Sequence, residues 1–387
     1  MSSLPSPSPA ALVHSELLCK LISAEVQENN GWISFARFMH LALYAPGLGY
    51  YSAGLQKFGV DGDFVTAPEI SPLFGRCLAK QATQILNAVG GDILELGAGS
   101  GKLVVDLLLE LSVLECLPER YLILEPSASL RKTQQQRVTD ALPAHLAQKV
   151  AWLDTLPEKF TGLVIGNEVL DAMPVHLVAH TREAVGTLSE LGIGVENRRF
   201  VWRDMPLAQG DLLDAVTALN LPEGYLAEIN LAAPALVASL AGVLEQGAIL
   251  LLDYGFPQRE YYHPQREHGT LMCHYRHHAH NDPLFYPGLQ DITAHVDFTA
   301  IAIAAQGNGL SLLGYTSQAQ FLIACGITEL LAETSPDDVV NYMQQVAAAQ
   351  KLLSPAEMGE LFKVIALGKN IDVPLLGFTQ GNQTYKL

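Results

Sequence analysis

The chain has 387 residues, of which 49% are hydrophobic, and its formal net charge is -17. This length and apolar fraction suffice for one large domain or two modest ones, each with its own core. The acidic balance argues against a nucleic-acid-binding surface and is compatible with a basic protein or peptide partner. The five cysteines lie far apart without a Cys-x-x-Cys pair, so neither a disulfide framework nor a thiolate zinc site is indicated.

The first ninety residues predict helices and loops. Residues 1–10 are rich in Ser and Pro and lack the Arg-rich pattern of a transit peptide and the apolar core of a secretory signal. No apolar run is long enough for a membrane span, so we expect a soluble, cytoplasmic chain that does not bind a membrane. Residues 15–28, 34–44 and 71–89 have helical spacing of apolar residues. Residues 1–90 are therefore expected to form a helical region that covers a cofactor cleft or serves only as a packing layer.

A glycine-rich turn follows the next apolar run. The run reads Ile93-Leu94-Glu95-Leu96-Gly97-Ala98-Gly99-Ser100-Gly101, and apolar residues with helical spacing continue over 102–111. This pattern predicts a strand, a tight turn and a helix, which is the first βα unit of a nucleotide-binding sheet. Glycine allows positive φ angles and a close approach of a ligand to the backbone. Gly97, Ala98, Gly99 and Gly101 are thus candidate cofactor-binding residues.

The spacing indicates which cofactor. A dinucleotide-binding loop needs a third glycine where this chain has Lys102, so an NAD-dependent oxidoreductase is disfavoured. Glu95 would lie badly against a pyrophosphate, whereas it suits a ligand with an amino group and a sulfonium. These features favour S-adenosyl-L-methionine, although a Gly-x-Gly-x-Gly turn alone also occurs for structural reasons.

The next two strands end in further candidate cofactor residues. Residues 121–124 predict a strand that ends at Glu125, an acid placed to accept the ribose hydroxyls of an adenosyl group. The alternative is that Glu125 caps the helix that follows. Residues 150–153 predict the third strand, so Leu153 and Asp154 are expected beside the adenine ring.

Several motifs together resemble the MidA-like family of S-adenosylmethionine-dependent methyltransferases. They are Tyr50-Tyr51, residues 62–75 (GDFVTAPEISPLFG), the glycine loop, residues 167–174 (NEVLDAMP) and Asp253-Tyr254-Gly255. The family includes a mitochondrial arginine methyltransferase that acts during assembly of respiratory complex I. The resemblance implies a class I methyltransferase core, which is an α/β Rossmann-like fold with a seven-stranded sheet, and protein arginine as the best-known substrate.

Polar residues follow the predicted fourth strand, at residues 163–166. Asn167, Glu168 and Asp171 come at its carboxyl end, where catalytic groups gather in an open α/β sheet. An arginine substrate stays protonated, so a carboxylate has to hold it bidentately. We expect Glu168 in that role, with Asn167 and Asp171 orienting the substrate or the loop and Asn167 also near the cofactor. The alternative is that Glu168 or Asp171 caps a following helix.

The remaining elements complete the predicted fold. Strands at 176–179, 186–190 and 200–203 predict a β insertion at about 175–230. Residues 248–253, 311–315 and 362–368 predict the last three strands of the sheet. The class I arrangement implies that the last strand is antiparallel and lies between the fifth and sixth. Residues 91–370 are therefore expected to form the methyltransferase domain, and 371–387 a loose tail.

Histidines cluster between residues 263 and 280. Cys273, His274, His277 and His278 are closely spaced, but no carboxylate triad or cysteine pair completes a metal site, so no metal is expected. His295 or His274 could accept a proton during catalysis, or these histidines are ordinary loop residues.

The sequence thus predicts a methyltransferase that uses S-adenosyl-L-methionine and acts on a protein arginine side chain. A non-catalytic assembly or binding factor on the same scaffold and a small-molecule methyltransferase are the alternatives. A homodimer is compatible with the sequence.

Overall fold

The structure of the protein is a computed structural model that describes residues 4–53, 66–180, 188–335 and 337–387. Residues 62–65 of one motif and 186–187 of one predicted strand lie outside the described residues. The helices are α1 (Pro9–Glu28), α2 (Phe35–Tyr44), α3 (Ala67–Ile70), α4 (Pro72–Val89), α5 (Lys102–Val113), α6 (Ala128–Ala141), α7 (Ala144–Ala147), α8 (Asp211–Leu219), α9 (Ala232–Val243), α10 (Gln258–Tyr261), α11 (Phe298–Gly307), α12 (Gln318–Ala324), α13 (Ile327–Ala332) and α14 (Val339–Leu353). Among the described residues, no helix has the length and apolar composition that a bilayer crossing requires.

The strands are β1 (Ile33–Ser34), β2 (Asp92–Leu96), β3 (Tyr121–Leu124), β4 (Val150–Leu153), β5 (Phe160–Asn167), β6 (His176–His180), β7 (Leu188–Glu196), β8 (Arg199–Pro206), β9 (Leu226–Ile229), β10 (Leu244–Phe256), β11 (Met272–Tyr275), β12 (His278–His280), β13 (Asp291–Thr293), β14 (Val296–Asp297), β15 (Ser311–Ser317) and β16 (Phe362–Lys369). Short 3₁₀ helices are Pro264–Arg266, Leu376–Phe378 and Thr384–Lys386.

The chain folds into two compact units, each assembled from separate segments. The sheet unit comprises Val65–Val169, Leu236–Pro257 and Val296–Leu387. The insertion unit comprises Met1–Phe64, Leu170–Ala235 and Gln258–His295.

The sheet unit contains the predicted class I sheet. Its strands lie in the order β15-β16-β10-β5-β2-β3-β4, and the short β14 pairs with the end of β10. Neighbouring strands from β10 to β4 are parallel, whereas β16 is antiparallel to both β10 and β15. The predicted fold class and the position of the last strand between the fifth and sixth are confirmed.

The centre of this sheet is apolar on both faces. In β5, Leu163, Val164 and Ile165 are fully buried, and α4 and α5 contribute Phe74 and Leu107 to the same core. Parallel strands that are covered on both faces read as continuous apolar runs, which is why these strands could be recognised in the sequence. The polar residues that end the runs therefore lie at the carboxyl edge of the sheet.

The insertion unit has its own sheet and core. Its main sheet has the order β1-β7-β6-β9 with β8 paired to β7, and a smaller sheet has the order β12-β11-β13. Leu18 and Ile22 of α1 and Phe38 of α2 are buried together with Leu177 and Ile193. The predicted β insertion is thus one part of a larger mixed layer.

The observed units differ from the predicted segments in three respects. Helices α3 and α4 belong to the sheet unit and contribute to its core, whereas α1 and α2 belong to the insertion unit. Strand β1 pairs with β7, which joins the N-terminal region to the insertion. Residues 258–295 also leave the sheet, because Cys273 and Ile292 complete the core of the insertion unit.

The C-terminal tail is packed, contrary to the expectation that residues 371–387 are loose. Phe378 is only 6% exposed, and its ring meets Phe321 edge to face with ring centroids 5.6 Å apart. The backbone N–H of Gly377 donates to Oε1 of the buried Gln81 at 2.8 Å. The tail is therefore part of the sheet unit.

Candidate functional site

The glycine loop joins β2 to α5 in a left-handed conformation. Gly97, Gly99 and Gly101 have φ angles of 60°, 51° and 79°. These angles are strained for residues with a Cβ. The N–H of Gly97 donates to the carbonyl of Leu124 at 3.0 Å, and the N–H of Gly101 donates to the carbonyl of Ala98 at 2.7 Å. The loop is thus a turn that presents backbone at the carboxyl edge of the sheet.

Glu95 is enclosed one residue before the end of β2. It is 3% exposed, and the hydroxyl of Tyr121 donates to its Oε2 at 2.8 Å. Burial raises the pKa of Glu95 to about 7, the hydrogen bond from Tyr121 opposes this rise, and the nearby Glu125 adds to it. A carboxyl group in this state ionises readily when a cation binds beside it, so Glu95 suits an ammonium group.

Glu125 follows the last residue of β3, and both of its carboxylate oxygens accept hydrogen bonds. Its Oε1 accepts from the N–H of Ser127 at 2.9 Å, and its Oε2 accepts from Nε2 of Gln134 at 3.0 Å. The first turn of α6 is capped by Ser127, whose Oγ accepts from the N–H of Leu130 at 3.4 Å. Ser127 supplies this capping hydrogen bond, and Glu125 in turn accepts from the backbone N–H of the capping residue, so both the helix-start role and the cofactor role of Glu125 stay open.

Gln134 of α6 is a residue that the sequence did not reveal. It is fully buried, its Nε2 also donates to the carbonyl of Gly99 at 3.0 Å, and its Oε1 accepts from Nε1 of Trp152 at 2.9 Å. One amide thus connects the glycine loop, Glu125 and strand β4. Gln134 is followed by Gln135 and Gln136, so the sequence is uniformly polar here. Nothing in it indicates that Gln134 is the buried glutamine.

Arg131 organises the end of β4. Its guanidinium donates to the carbonyls of Glu125 and Leu153, and it forms a 2.8 Å ion pair with Asp154. The side chain of Asp154 is 90% exposed. The predicted roles of Leu153 and Asp154 at the adenine ring stay predictions, with Arg131 as the residue that fixes both.

Asn167 and Glu168 lie together at the carboxyl end of β5. Nδ2 of Asn167 donates to Oε1 of Glu168 at 3.1 Å, and the backbone N–H of Glu168 donates to the carbonyl of Leu252 at 2.9 Å. Glu168 has a φ of 54°, an uncommon conformation for a residue other than glycine. Oδ1 of Asn167 is buried and has no hydrogen-bond partner among the described residues. This oxygen could accept a hydrogen bond from a ligand.

The alternative of helix capping is excluded for these acids. Between Glu168 and the start of β6 at His176, the described chain forms bends and turns but no helix. The left-handed Glu168 is therefore not explained by a helix start, and strained residues of this kind concentrate at functional sites.

Asp171 and His295 belong to the insertion unit. The carbonyl of Asp171 accepts from the N–H of Ala294 at 3.0 Å, so this unit brings Asp171 next to the segment that contains His295. Burial lowers the pKa of His295 to about 4, and the charge of Arg266 adds to this effect. A neutral imidazole with this pKa is a weak base, which disfavours His295 as the proton acceptor, although its catalytic role stays untested.

Tyr51 and Asp291 were not predicted as site residues. The hydroxyl of Tyr51 donates to Oδ1 of the buried Asp291 at 2.9 Å. The ring of Tyr51 stacks with the ring of Tyr44, with the ring centroids 5.6 Å apart. Burial raises the pKa of Tyr51 well above its usual range, and Asp291, Tyr44 and Asp171 contribute. The insertion unit therefore places two buried carboxylates near a pair of tyrosine rings. Tyr51 belongs to the Tyr50-Tyr51 motif, and this motif is the sequence feature that could have identified it as a site residue.

Among the described residues, no group of three or more His, Cys, Asp or Glu side chains is arranged to hold a metal ion. Within the histidine-rich segment, His274 lies on β11, and Nδ1 of His278 on β12 is hydrogen-bonded to the carbonyl of Arg276 at 2.7 Å. The proposed proton-accepting role of His274 stays a prediction.

These features fit S-adenosyl-L-methionine. Gly97, Gly99 and Gly101 hold a left-handed backbone at the carboxyl edge of the sheet, and Glu125 is a buried carboxylate that suits a diol. Oδ1 of Asn167, which has no hydrogen-bond partner within the described part of the chain, suits an amino donor. The chain's own residues would therefore hold the ribose and amino groups of this cofactor.

Comparisons with known proteins agree with this assignment. A family model described as S-adenosyl-L-methionine-dependent methyltransferase matches residues 77–316, more than half of the chain. Protein arginine methyltransferase NDUFAF7, mitochondrial, from Danio rerio is 28% identical, with 90% of this chain and 89% of the relative covered. The Drosophila melanogaster homologue is also 28% identical, over 94% of this chain and 88% of the relative.

A solved structure matches the whole chain. A Burkholderia thailandensis protein, crystallised with S-adenosyl-homocysteine, is 48% identical and has a TM-score of 0.95, and the match covers 100% of both chains. A native crystal structure from the same organism has a TM-score of 0.93 at 48% identity. The predicted cofactor is confirmed by these matches.

One prediction is corrected by the relatives. Both NDUFAF7 relatives carry a mitochondrial location in their names. This contradicts the expected cytoplasmic location, which had rested on the absence of a transit-peptide pattern in residues 1–10.

Proposed function

The chain belongs to the family of S-adenosyl-L-methionine-dependent methyltransferases, and we propose that it methylates an arginine side chain of a protein. The named relatives are protein arginine methyltransferases, which supports this substrate class. The net charge of -17 suits a basic substrate. The observation that carries the proposal is the left-handed Glu168, supported by Asn167 at the carboxyl end of β5.

Glu168 has the chemistry that a guanidinium requires. Arginine stays protonated in proteins and binds carboxylates through two parallel N–H···O hydrogen bonds. The hydrogen bond from Asn167 restricts the rotation of the Glu168 carboxylate. A restricted carboxylate can hold one guanidinium nitrogen in a fixed position, and orientation of this kind is a major part of catalysis in displacement reactions.

When bound, the cofactor supplies a methyl group on a cationic sulfonium. The chain then has to bind the guanidinium and receive the proton that the methylated nitrogen loses. Glu168 can do both, because its carboxylate accepts N–H hydrogen bonds and passes a proton to water. His295 is the weaker candidate because its pKa is lowered to about 4.

Asp171 keeps its proposed role of orienting the substrate. It lies in the insertion unit, which also places the buried Asp291 and the stacked rings of Tyr44 and Tyr51. Carboxylates and aromatic faces are the groups that bind guanidinium ions. The chemistry of these groups, within the insertion unit by itself, is compatible with a cationic substrate.

Transfer of labelled methyl groups tests the reaction and its substrate class. The protein is incubated with labelled S-adenosyl-L-methionine and a lysate from cells that lack it, and the labelled proteins are hydrolysed to amino acids. Labelled methylarginine in a discrete protein is the expected result. Label in another amino acid, or only in small molecules, contradicts the arginine proposal, and absence of label with intact cofactor binding favours the scaffold alternative.

A variant pair tests Glu168 itself. Glu168→Gln should bind S-adenosyl-homocysteine normally and lose at least about a hundredfold in turnover, since a neutral amide cannot hold the cation. Glu115→Gln is the matched control because Glu115 is also a left-handed glutamate of the sheet unit, with a φ of 54°, and is exposed on the surface. Undiminished turnover in Glu168→Gln would remove this residue from the mechanism.

The oligomeric state also belongs to the proposal. A homodimer remains the expectation, and sedimentation equilibrium of the purified chain measures it directly. A monomer at all protein concentrations would exclude a dimer as the active form.

A further inference from the structure

Glu69 of α3 reaches the glycine loop from outside the βα unit. Its Oε1 accepts hydrogen bonds from Oγ of Ser100 and, at 2.7 Å, from Nη1 of Arg137. The same Arg137 nitrogen donates to Oγ of Ser100 at 2.9 Å. Glu69, Ser100 and Arg137 thus form a closed cluster of three side chains within the sheet unit, here called the loop anchor.

Ser100 is well placed for such an anchor. It lies between Gly99 and Gly101, both of which are left-handed, and it is the one residue of the turn 97–101 with a hydroxyl side chain. Gly101 is the N-cap residue of α5 and, as a glycine, has no side chain to cap the helix. Besides the backbone hydrogen bond from Gly101 to Ala98, side chains from other elements hold the turn.

Two such groups come from α6. Gln134 holds the carbonyl of Gly99 at 3.0 Å, and Arg137 holds Ser100 from one turn further along the helix. Arg137 alone would bring a positive charge to the turn, and Glu69 neutralises it while fixing its direction. The segment that contains α3 thereby completes a support that the βα unit lacks by itself.

We propose that Glu69 is a positioning residue for the cofactor: through Ser100 and Arg137 it keeps the glycine loop in its binding conformation before the ligand arrives. Without this support, Gly99, Ser100 and Gly101 would sample many backbone conformations. Ordering them when the ligand binds would cost entropy and weaken the affinity. The proposal concerns the cofactor and does not depend on the arginine substrate, so each can fail without the other.

Titration calorimetry with S-adenosyl-homocysteine on the full-length protein tests the proposal. Glu69→Gln should bind this ligand about tenfold more weakly and show a similar rise in the KM for S-adenosyl-L-methionine, while kcat changes less than about twofold. Arg137→Gln should behave similarly. The double variant with both Glu69→Gln and Arg137→Gln should bind only slightly more weakly than either single variant, because both changes disrupt the same cluster.

Glu110→Gln is the matched control. Glu110 of α5 forms a 2.6 Å ion pair with Arg76 of α4 in the same unit, and neither residue belongs to the turn 97–101. This change should lower the melting temperature and leave S-adenosyl-homocysteine affinity unchanged. An equal loss of affinity in Glu110→Gln would show that Glu69 acts only through general stability, and binding within twofold of the parent in Glu69→Gln would also overturn the proposal.

Ser100→Ala keeps the experiment decisive if Glu69→Gln does not fold. It leaves the ion pair of Glu69 and Arg137 in place and removes only its connection to the loop. We expect roughly threefold weaker binding with an unchanged melting temperature. Unchanged binding in this variant would exclude Ser100 as the connection.

Discussion

Burial controls the charge of Glu95, the acid closest in sequence to the glycine loop. Its pKa is raised to about 7, so the group carries a proton for part of the time at neutral pH. The carboxylate form is the one that attracts an ammonium group. Binding of a cationic ligand and loss of this proton are therefore linked.

Glu95→Gln should remove a pH dependence from both binding and stability. In the parent, affinity for S-adenosyl-homocysteine should rise between pH 6 and pH 8 as Glu95 ionises, whereas the variant should bind more weakly with little change over this range. Titration calorimetry at several pH values measures the affinity of the parent and of the variant. Equal pH dependence in the two proteins would exclude Glu95 as the titrating group.

The sign of the stability effect follows from the raised pKa. Because the folded chain holds the Glu95 proton more tightly than the unfolded chain, the free energy of unfolding falls as pH rises through the window from about 4.5 to about 7. At pH 8 the loss is up to about 3 kcal/mol. In urea unfolding, the loss of stability between pH 4.5 and pH 8 should be smaller in Glu95→Gln than in the parent by this amount, because other buried acids such as Asp297 also have raised pKa values, and the exposed Glu119→Gln should follow the parent.

At the scale of elements, strand ends could be predicted and helix faces could not. Glu125, Asn167 and Glu168 each follow an uninterrupted apolar run, so their position at the edge of the sheet is encoded locally. Gln134 and Arg131 lie on a polar helix whose buried face is decided by contacts with the glycine loop and β4. Such contacts join distant parts of the chain and leave no periodic signal in the sequence.

The glycine loop and α6 also depend on each other sterically. A Cβ at Gly101 would lie 3.2 Å from Cα of Gln134, and the φ of 79° adds backbone strain. We expect Gly101→Ala to lower the free energy of unfolding by about 2–4 kcal/mol, the sum of strain and overpacking. Because the same shift moves Gln134 away from Gly99, affinity for S-adenosyl-homocysteine should fall at least about tenfold.

Gly309→Ala separates the effect of backbone strain from the effect of steric overlap. Gly309 has a φ of 78°, but a Cβ there would meet no atom of the described residues within 4 Å. This variant should lose only about 1 kcal/mol from backbone strain and bind the ligand normally. Urea unfolding and calorimetry compare the two, and equal losses in both variants would contradict the steric argument.

At the scale of the whole molecule, the chain leaves its central sheet more often than the sequence showed. The sequence predicted one insertion, at 175–230. Residues 258–295 form a second segment of the insertion unit, and Cys273 and Ile292 are part of its core. Strand β1 joins that layer from the N-terminal region. Membership of a core is set by contacts between distant segments, so segment boundaries read along the chain could not reveal it.

The C-terminal tail gives the sharpest test of this long-range packing. Phe378 packs against Phe321 of α12, and Gly377 satisfies the buried amide of Gln81 on α4. Phe378→Ala should lower the free energy of unfolding by about 3–5 kcal/mol, as expected for removal of a buried ring. Tyr385→Ala is the control, because Tyr385 is an aromatic residue of the same tail that is 82% exposed. Its loss should be within about 0.5 kcal/mol, and similar urea midpoints for the two variants would show that the tail does not stabilise the sheet unit.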